Sequence, residues 1–253
     1  MAASMDEPPG PQEREDVLRA DPGLAERLDP VRRAQAEDAS SAAVLRREVG
    51  VWRGKDDAGY GRDGAGLLVL SGLLVRRVGL EGRLGAELLD HGDLLQPAMH
   101  DGGDAVVPFE ATWRVMIPLR LAVLDLDWMT RMAPFPEVAA QLTARVMLRS
   151  RRLAMMLVIA QHHRLEDRLR LFFWELADRY GKVGPEGVRI EVPLTHELIG
   201  HFVGARRPSV SAALGRLERD GHVRREHGCW ILLGTPLRAA DLGPDGSGTI
   251  KTR

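Results

Sequence analysis

The chain has one cysteine, no excess of positive charge and no long apolar run, and each shortage excludes a class of function. A single cysteine, Cys229, allows neither an internal disulfide nor the several thiolates of an iron–sulfur cluster. The apolar segments are too short to span a membrane, and no charged leader precedes an apolar core, so we expect a cytoplasmic protein. A net charge of -1 excludes a polycation that holds nucleic acid by bulk charge.

Residues 194–233 have the order of elements of a winged helix-turn-helix. LTHELIGHFV predicts a short helix that Thr195 caps and Gly204 closes in the left-handed conformation. RRPSVSAALGRLER predicts a second helix with Pro208 in its first turn, where a missing amide costs little. HVRRE and CWILL predict two strands around a turn at residues 226–228. In this motif the second helix lies in the DNA major groove.

The arginines of this segment stand at the start of the second helix and in the wing, where phosphate and guanine contacts are made. The segment is only slightly more basic than acidic, so the prediction depends on position and not on total charge. The alternative is a winged helix used for protein contacts, with its arginines on a solvated face. The predicted DNA-binding residues are Thr195, Arg206, Arg207, Ser209, Ser211, Arg216, Arg224 and His227.

This segment resembles the C-terminal DNA-binding domain of the Crp/Fnr family of bacterial transcription regulators. The similarity runs through LTHELI, VGARRPSVS and LGRLERDGHVRRE. It implies that Arg207 reads a guanine, that Thr195 and Ser209 contact phosphate, and that His227 touches the DNA backbone.

Two positions of the second helix depart from the family pattern. Pro208 stands where the family often has glutamate, and Ala212 stands where it often has a second base-reading arginine. Neither side chain can hydrogen-bond a base edge, although Ala212 can touch a thymine methyl. The usual half-site of the family is therefore not implied.

Glycine-punctuated segments of alternating apolar and polar residues precede this domain, at residues 64–97 and 111–125. Such spacing predicts the short antiparallel strands of a β-roll that is jelly-roll-like. The segments resemble the strands of the family's cyclic-nucleotide-binding-like sensor domain, although a cupin-type enzyme would have a similar pattern. Residues 13–47 carry helical patterns that could pack on this domain or on a partner subunit.

The residues that bind a cyclic phosphate in the family have no counterpart in the corresponding stretch, AMHDGGDAVVPFEATWR. Asp101 and Asp104 would repel a phosphate, and no arginine occurs before Arg114. Glu87 lies too early in the chain to replace the family's glutamate. We therefore do not expect cyclic AMP as the effector, and whether another effector binds is left open. Scattered histidines favour surface roles, so we predict no metal and no cofactor.

A run without glycine or internal proline, from Pro136 to about Gln161, predicts a long helix. The resemblance implies that it is the dimerisation helix, and the alternative is a core helix of a monomer. Arg149 interrupts its apolar seam. A second helix is predicted at residues 165–180, and residues 181–187, with Pro185, are predicted to be a loop or hinge. The predicted dimer-interface residues are Leu142, Val146, Leu153, Met156 and Ala160.

The sequence as a whole predicts an α+β protein: a β-roll sensor domain, a long dimerisation helix and a winged helix-turn-helix. The expected boundaries are 1–12 for a disordered N-terminus, 13–135 for the sensor, 136–164 for the dimerisation helix, 165–234 for the DNA-binding domain and 235–253 for a flexible tail. We expect a homodimeric transcription regulator that binds a pseudo-palindromic site in double-stranded DNA, with RNA polymerase as a further partner if it activates. The alternatives are a cupin-like metal enzyme and an effector-binding interaction protein whose winged helix does not read DNA.

Overall fold

The computed structural model describes residues 13–53, 57, 59–97, 106–107 and 109–236. The N-terminal segment 1–12, expected to be disordered, and most of the tail, expected to be flexible, lie outside the described residues, as do Asp101 and Asp104. The chain divides into two compact units, and the boundary falls between Arg152 and Leu153. No helix of the described part is both long and apolar enough to cross a membrane.

The first unit is built around one antiparallel sheet that continues along the path β1-β2-β7-β4-β5, with β3 paired to β7 and β6 paired to β4. Alternate residues of these strands point to two apolar clusters, one of which contains Trp52 and Trp113. The strands are β1 (Glu13–Asp16), β2 (Ser41–Arg47), β3 (Gly50–Trp52), β4 (Gly66–Leu80), β5 (Arg83–Asp90), β6 (Leu94–Leu95) and β7 (Glu110–Leu124).

Two of these strands are long and bent, whereas the sequence predicts short strands that end at glycines. β4 and β7 have 15 residues each and pair along most of their length, with register shifts between Val69 and Leu74. Gly72 lies inside this irregular stretch with φ +101°, and a Cβ there would stand 2.3 Å from the Pro118 carbonyl oxygen. Glycine therefore marks a bulge that bends a continuous strand, and not the end of a strand.

The helices of the first unit close the other apolar cluster, which is centred on Trp128. The Trp128 Nε1 donates to the Ser40 carbonyl oxygen at 2.9 Å and so ties the third helix to the loop before β2. Residues 13–47 are helical only in part, because β1 and β2 pair within them. The helices are α1 (Val17–Ala20), α2 (Pro30–Ala39), α3 (Leu126–Met132) and the long α4 (Pro136–Ala160), whose residues up to Arg152 belong to this unit, with a 3-10 turn at Pro22–Ala25.

The second unit packs three helices against a four-stranded sheet of order β10-β11-β9-β8. Phe172, Phe173 and Trp230 form its aromatic core, with the rings of Phe173 and Trp230 5.0 Å apart. The predicted hinge at residues 181–187 is instead mostly a β-hairpin, because β8 and β9 pair across Pro185 and Glu186. The elements are α5 (Leu165–Tyr180), β8 (Gly181–Gly184), β9 (Gly187–Ile190), α6 (His196–Val203), α7 (Arg207–Arg219), β10 (Val223–Glu226) and β11 (Cys229–Leu232).

Candidate nucleic-acid interface

The first helix of the motif, α6, begins and ends on local signals. The Thr195 hydroxyl accepts a hydrogen bond from the Leu198 amide at 3.1 Å and caps the helix. Gly204 follows the last residue with φ +64° and ψ +40°, the left-handed conformation that glycine adopts without strain. Both features confirm the sequence prediction. The capping bond uses a lone pair of Thr195, so its O–H remains able to donate to a phosphate oxygen.

The second helix, α7, buries one face and presents its first turn to solvent. Val210, Ala213, Leu214 and Leu217 are buried, as predicted. Arg206, Arg207 and Ser209 are exposed, and neither guanidinium forms an ion pair with any residue that the structure describes. Two free guanidiniums at a helix start are suited to bind phosphate or the edge of a guanine.

The centre of the outer face of α7 lacks hydrogen-bonding side chains. Pro208, Ala212 and Gly215 follow one another along this face, and a Cβ at Gly215 would meet nothing within 4 Å. This smooth surface permits close approach but offers only a methyl contact at Ala212. The side chains of α7 that could hydrogen-bond a base edge are therefore mainly the arginines that open the helix.

The wing is a hairpin in which a two-residue loop connects β10 and β11. His227 and Gly228 form its turn with φ values of +48° and +81°, the pair of positive φ angles typical of a type I′ turn. The His227 side chain is 84% exposed at the tip. This position is suited to a contact with the DNA backbone.

The two arginines of the wing have different surroundings. Arg224, predicted to bind DNA, is paired with Glu186 at 2.5 Å and with Glu226 at 3.2 Å, on the face of β10 opposite the helices. Arg225 is exposed and lies over the Trp230 ring, 5.3 Å from its centroid, on the face that the helices cover. Alternation along a strand could have shown this, because Arg225 shares its face with the buried Val223.

Two further predicted contacts are engaged within the domain. The Ser211 Oγ lies 2.8 Å from Nδ1 of His196. Arg216 is paired with Glu166 on α5, with Nη2 2.5 Å from the carboxylate, so its guanidinium is turned away from the first turn of α7. The structure thus exposes Thr195, Arg207 and His227, with Nδ1 of His227 3.8 Å from a Glu226 carboxylate oxygen, and places Arg216 in a pair with α5.

Comparison with known proteins agrees with this geometry. Residues 151–236 match the family described as the Crp-like helix-turn-helix domain. The second unit is a Crp-like helix-turn-helix domain. No curated protein sequence matches the chain.

Solved structures extend the likeness to most of the chain. A CooA mutant from Carboxydothermus hydrogenoformans is 17% identical with a TM-score of 0.59, over 86% of this chain and 89% of the other. FixK2 from Bradyrhizobium japonicum is 19% identical with a TM-score of 0.54, over 76% and 93%. A CRP-family transcriptional regulator from Thermus thermophilus is 22% identical with a TM-score of 0.54, over 75% and 92%. The chain therefore has the fold of the Crp/Fnr regulators, as its sequence suggested.

Arg149, which interrupts the predicted dimer seam, belongs to a buried ion network in the first unit. Glu87 on β5 is the cross-strand neighbour of Arg76 on β4, with 2.9 Å between Nη2 and Oε2. Arg149 of α4 binds both oxygens of Glu87, at 2.6 and 2.9 Å, and donates to the Leu94 carbonyl oxygen at 2.7 Å. The three charged side chains are at most 14% exposed. Arg149 thus holds α4 to the sheet of the first unit.

A second buried carboxylate lies near this network. Asp93 is 3% exposed, accepts from the Asp90 amide at 3.0 Å and stands 3.8 Å from Arg152. Burial raises the pKa of Asp93 to about 6, although Arg152 and Arg149 act in the opposite direction. Folding raises this pKa from 3.8, so the contribution of Asp93 to stability increases as the pH falls through 6.

The residues predicted for the dimer interface do not share one exposed stripe of α4. Leu142 is 5% exposed and belongs to the core of the first unit, which corrects its assignment to an interface. Leu153, Met156 and Ala160 are half-buried, and only Val146 is largely exposed, at 49%. Both faces of α4 carry apolar residues, so the apolar pattern alone does not distinguish them. The predicted seam follows the face that contains the buried Leu142 and Arg149.

Proposed function

We propose that the chain is a homodimeric, sequence-specific DNA-binding transcription regulator that recognises a pseudo-palindromic site. The observation that carries the proposal is the pair of exposed, unpaired arginines, Arg206 and Arg207, at the start of α7 in a Crp-like helix-turn-helix domain. In this proposal residues 13–135 form a sensor, 136–164 pair the subunits and 165–234 bind DNA in the cytoplasm. RNA polymerase is a further partner if the protein activates transcription.

Base recognition in this proposal depends on Arg207. Its guanidinium can donate two parallel hydrogen bonds to O6 and N7 of a guanine in the major groove. The Thr195 hydroxyl, Ser209, Arg225 and His227 surround it as phosphate contacts, which fix the register of the helix on the duplex.

The dimer seam is proposed on an exposed stripe of α4 that is rotated by about one residue from the predicted one. Thr143, Ser150 and Leu157 are seven residues apart, Met147 and Ala154 lie between them, and all five are exposed in the subunit. Met147 is 66% and Leu157 67% exposed, which is unfavourable for large apolar side chains that stay in water. The small Ser150 and Ala154 would let two copies of α4 approach closely. Such a dimer would place two α7 helices about 34 Å apart, one DNA turn.

Removing the guanine-reading side chain tests the mode of recognition. We expect Arg207→Ala to weaken specific binding by about 1–3 kcal/mol and to relax the preference at one base of each half-site. Arg224→Ala is the matched control, because Arg224 is paired with Glu186 and Glu226, and it should leave the preferred sequence unchanged. Fluorescence anisotropy on duplexes that vary one base at a time measures both quantities. An unaltered base preference in Arg207→Ala would refute the assignment.

Selection of binding sites from random duplex DNA, with untagged protein and no added ligand, tests the function itself. An enriched inverted repeat with half-sites one helical turn apart is the expected result. Enrichment of a single half-site would contradict the homodimer, and no enrichment with or without a panel of nucleotides would contradict sequence-specific DNA binding.

Cyclic AMP is not proposed as the effector. A buried phosphate needs a cation that is not already neutralised, and Arg76 and Arg149 are both committed to Glu87. We expect micromolar cyclic AMP to leave the melting temperature and the affinity for DNA unchanged. A thermal shift that saturates with ligand concentration would show that a cyclic nucleotide binds.

The alternative of a cupin-like metal enzyme would need a cluster of metal ligands. Among the residues described, no group of three or more His, Cys, Asp or Glu side chains is placed to hold a metal ion.

A further inference from the structure

His196 occupies the first position of α6 and faces both the recognition helix and the wing. Its Nδ1 lies 2.8 Å from the Ser211 Oγ on α7, and its ring centroid lies 6.0 Å from that of Trp230 on β11. The residue is half-buried, so part of it reaches solvent. It follows the phosphate-contact candidate Thr195 directly in sequence, which places it on the surface proposed to meet the duplex.

The charges around this ring are mostly positive. Burial lowers the pKa of His196, and Arg225 of β10 and Arg207 of α7 lower it further, whereas Glu218 of α7 acts weakly in the opposite direction. The guanidiniums of Arg207 and Arg225 form no ion pair with any residue of the described part. A proton on His196 would therefore add a third positive charge to an uncompensated pair. The free protein favours the neutral ring.

Ser211 can serve both protonation states of the ring. A hydroxyl donates to Nδ1 of a neutral imidazole and accepts from Nδ1–H of an imidazolium, at the same oxygen–nitrogen distance. The other ring nitrogen, Nε2, has no hydrogen-bond partner among the residues that the structure describes. In the neutral ring that accepts from Ser211 at Nδ1, the hydrogen is on Nε2. Protonation therefore breaks no bond in the domain and turns the Nε2–H into a charged and stronger donor. Ser211, predicted as a DNA contact, is better suited to position His196.

We propose that His196 takes up a proton when duplex DNA binds and donates from Nε2 to a backbone phosphate, so that affinity for DNA rises as the pH falls. The inference rests on the proposed DNA-binding function. A phosphate near Arg207 and Arg225 would turn the local field from repulsive to attractive for a proton. Binding DNA and binding the proton would then favour each other, as linkage requires.

The size of the effect is bounded by one proton per subunit. Each histidine can change the affinity by at most about tenfold per pH unit, between its pKa values in the free and bound protein. Two subunits share one site, so we expect binding to tighten by about tenfold or more from pH 7.5 to 6.0.

The test measures the dissociation constant of the full-length protein for its selected duplex from pH 5.5 to 8.5 at constant ionic strength. Wild type is compared with His196→Gln, whose amide can still hydrogen-bond Ser211 but does not titrate. His163→Gln, an exposed histidine between α4 and α5, is the matched control. We expect the pH dependence to fall in His196→Gln and to persist in the control. Calorimetry in two buffers of different ionisation enthalpy should show fewer protons taken up by His196→Gln.

A permanently charged variant keeps the test decisive if the glutamine variant is poorly folded. His196→Arg should bind with an affinity that varies little with pH and that at pH 8 is at least that of wild type. Equal pH dependence in wild type and in a folded variant at position 196, or binding by wild type that does not vary with pH, overturns the inference and leaves the proposed function intact. No binding at any pH overturns the proposed function together with it.

Discussion

Replacing Glu87 with glutamine is expected to lower the free energy of unfolding of the first unit by about 3–5 kcal/mol, the cost of breaking a buried ion pair from one side. The substitution keeps the shape of the side chain and removes its charge. Arg76 and Arg149 would then remain as neighbouring buried cations whose only shared carboxylate has gone. Glutamine can accept hydrogen bonds from them but cannot offset two charges.

The two arginines already respond differently to burial. Burial is the largest influence on both and lowers their pKa values. At Arg149 the hydrogen bonds and charge of Glu87, together with the charge of Asp93, outweigh burial and the pKa is raised, whereas at Arg76 burial prevails and the pKa is lowered. Arg76 is also 5.7 Å from the centroid of the Trp113 ring, a contact that partly offsets its lost hydration. Without Glu87, Arg149 would keep only the weaker attraction of the buried Asp93.

Urea unfolding of the full chain, followed by far-UV circular dichroism and by fluorescence, measures the effect. Glu110→Gln is the matched control, because Glu110 is an exposed carboxylate at the start of β7 in the same sheet. It should change stability by less than about 0.5 kcal/mol. A loss at Glu87 no larger than that of the control would mean that the network adds nothing to stability.

The network could not be predicted from the sequence because its members lie far apart in the chain. Arg149 and Glu87 are 62 positions apart and meet only through strand pairing and the docking of α4. Considered alone, Arg149 is a charged residue within an apolar helical pattern. That pattern places it on the dimer seam, whereas the structure turns it toward its own sheet.

Local signals explain why the DNA-binding domain was predicted more closely than the first unit. The caps at Thr195 and Gly204 and the proline at position 208 each act within one helical turn, and the helices follow them. In the first unit the bend in β4 depends on the approach of Pro118 to Gly72 from another strand. Glycine alone does not distinguish a bulge from a turn, so the two 15-residue strands were divided too finely.

The hairpin of β8 and β9 shows the same difficulty in the second unit. Glycines at positions 181, 184 and 187 and a proline at 185 predict a flexible connection. Pairing with β11 fixes this segment in a sheet instead, with Ile190 opposite Trp230. Contacts with the rest of the domain thus override a composition typical of loops.

Leu157 is a large apolar residue of the proposed dimer seam on α4 and is exposed in the single chain. Leu157→Glu should convert the dimer to monomers, because each pair of subunits would have to bury two carboxylates in an apolar stripe. A monomer would bind a full site through one DNA-binding domain instead of two. Its affinity should therefore fall by about 10²–10⁴-fold, the gain that bivalency provides. The isolated subunit should fold normally, since Leu157 is 67% exposed in it.

Leu126→Glu provides the matched control. Leu126 is 61% exposed at the start of α3, outside the stripe, and the same substitution there should change neither mass nor affinity. Sedimentation at micromolar concentration measures the assembly, and anisotropy with full and half sites measures the affinity. Leu142→Glu should behave differently from both, because Leu142 belongs to the core and its replacement should unfold the first unit. A Leu157→Glu protein that remains dimeric with full affinity would place the interface on another face of α4, since Val146, Leu148 and Met155 are also exposed.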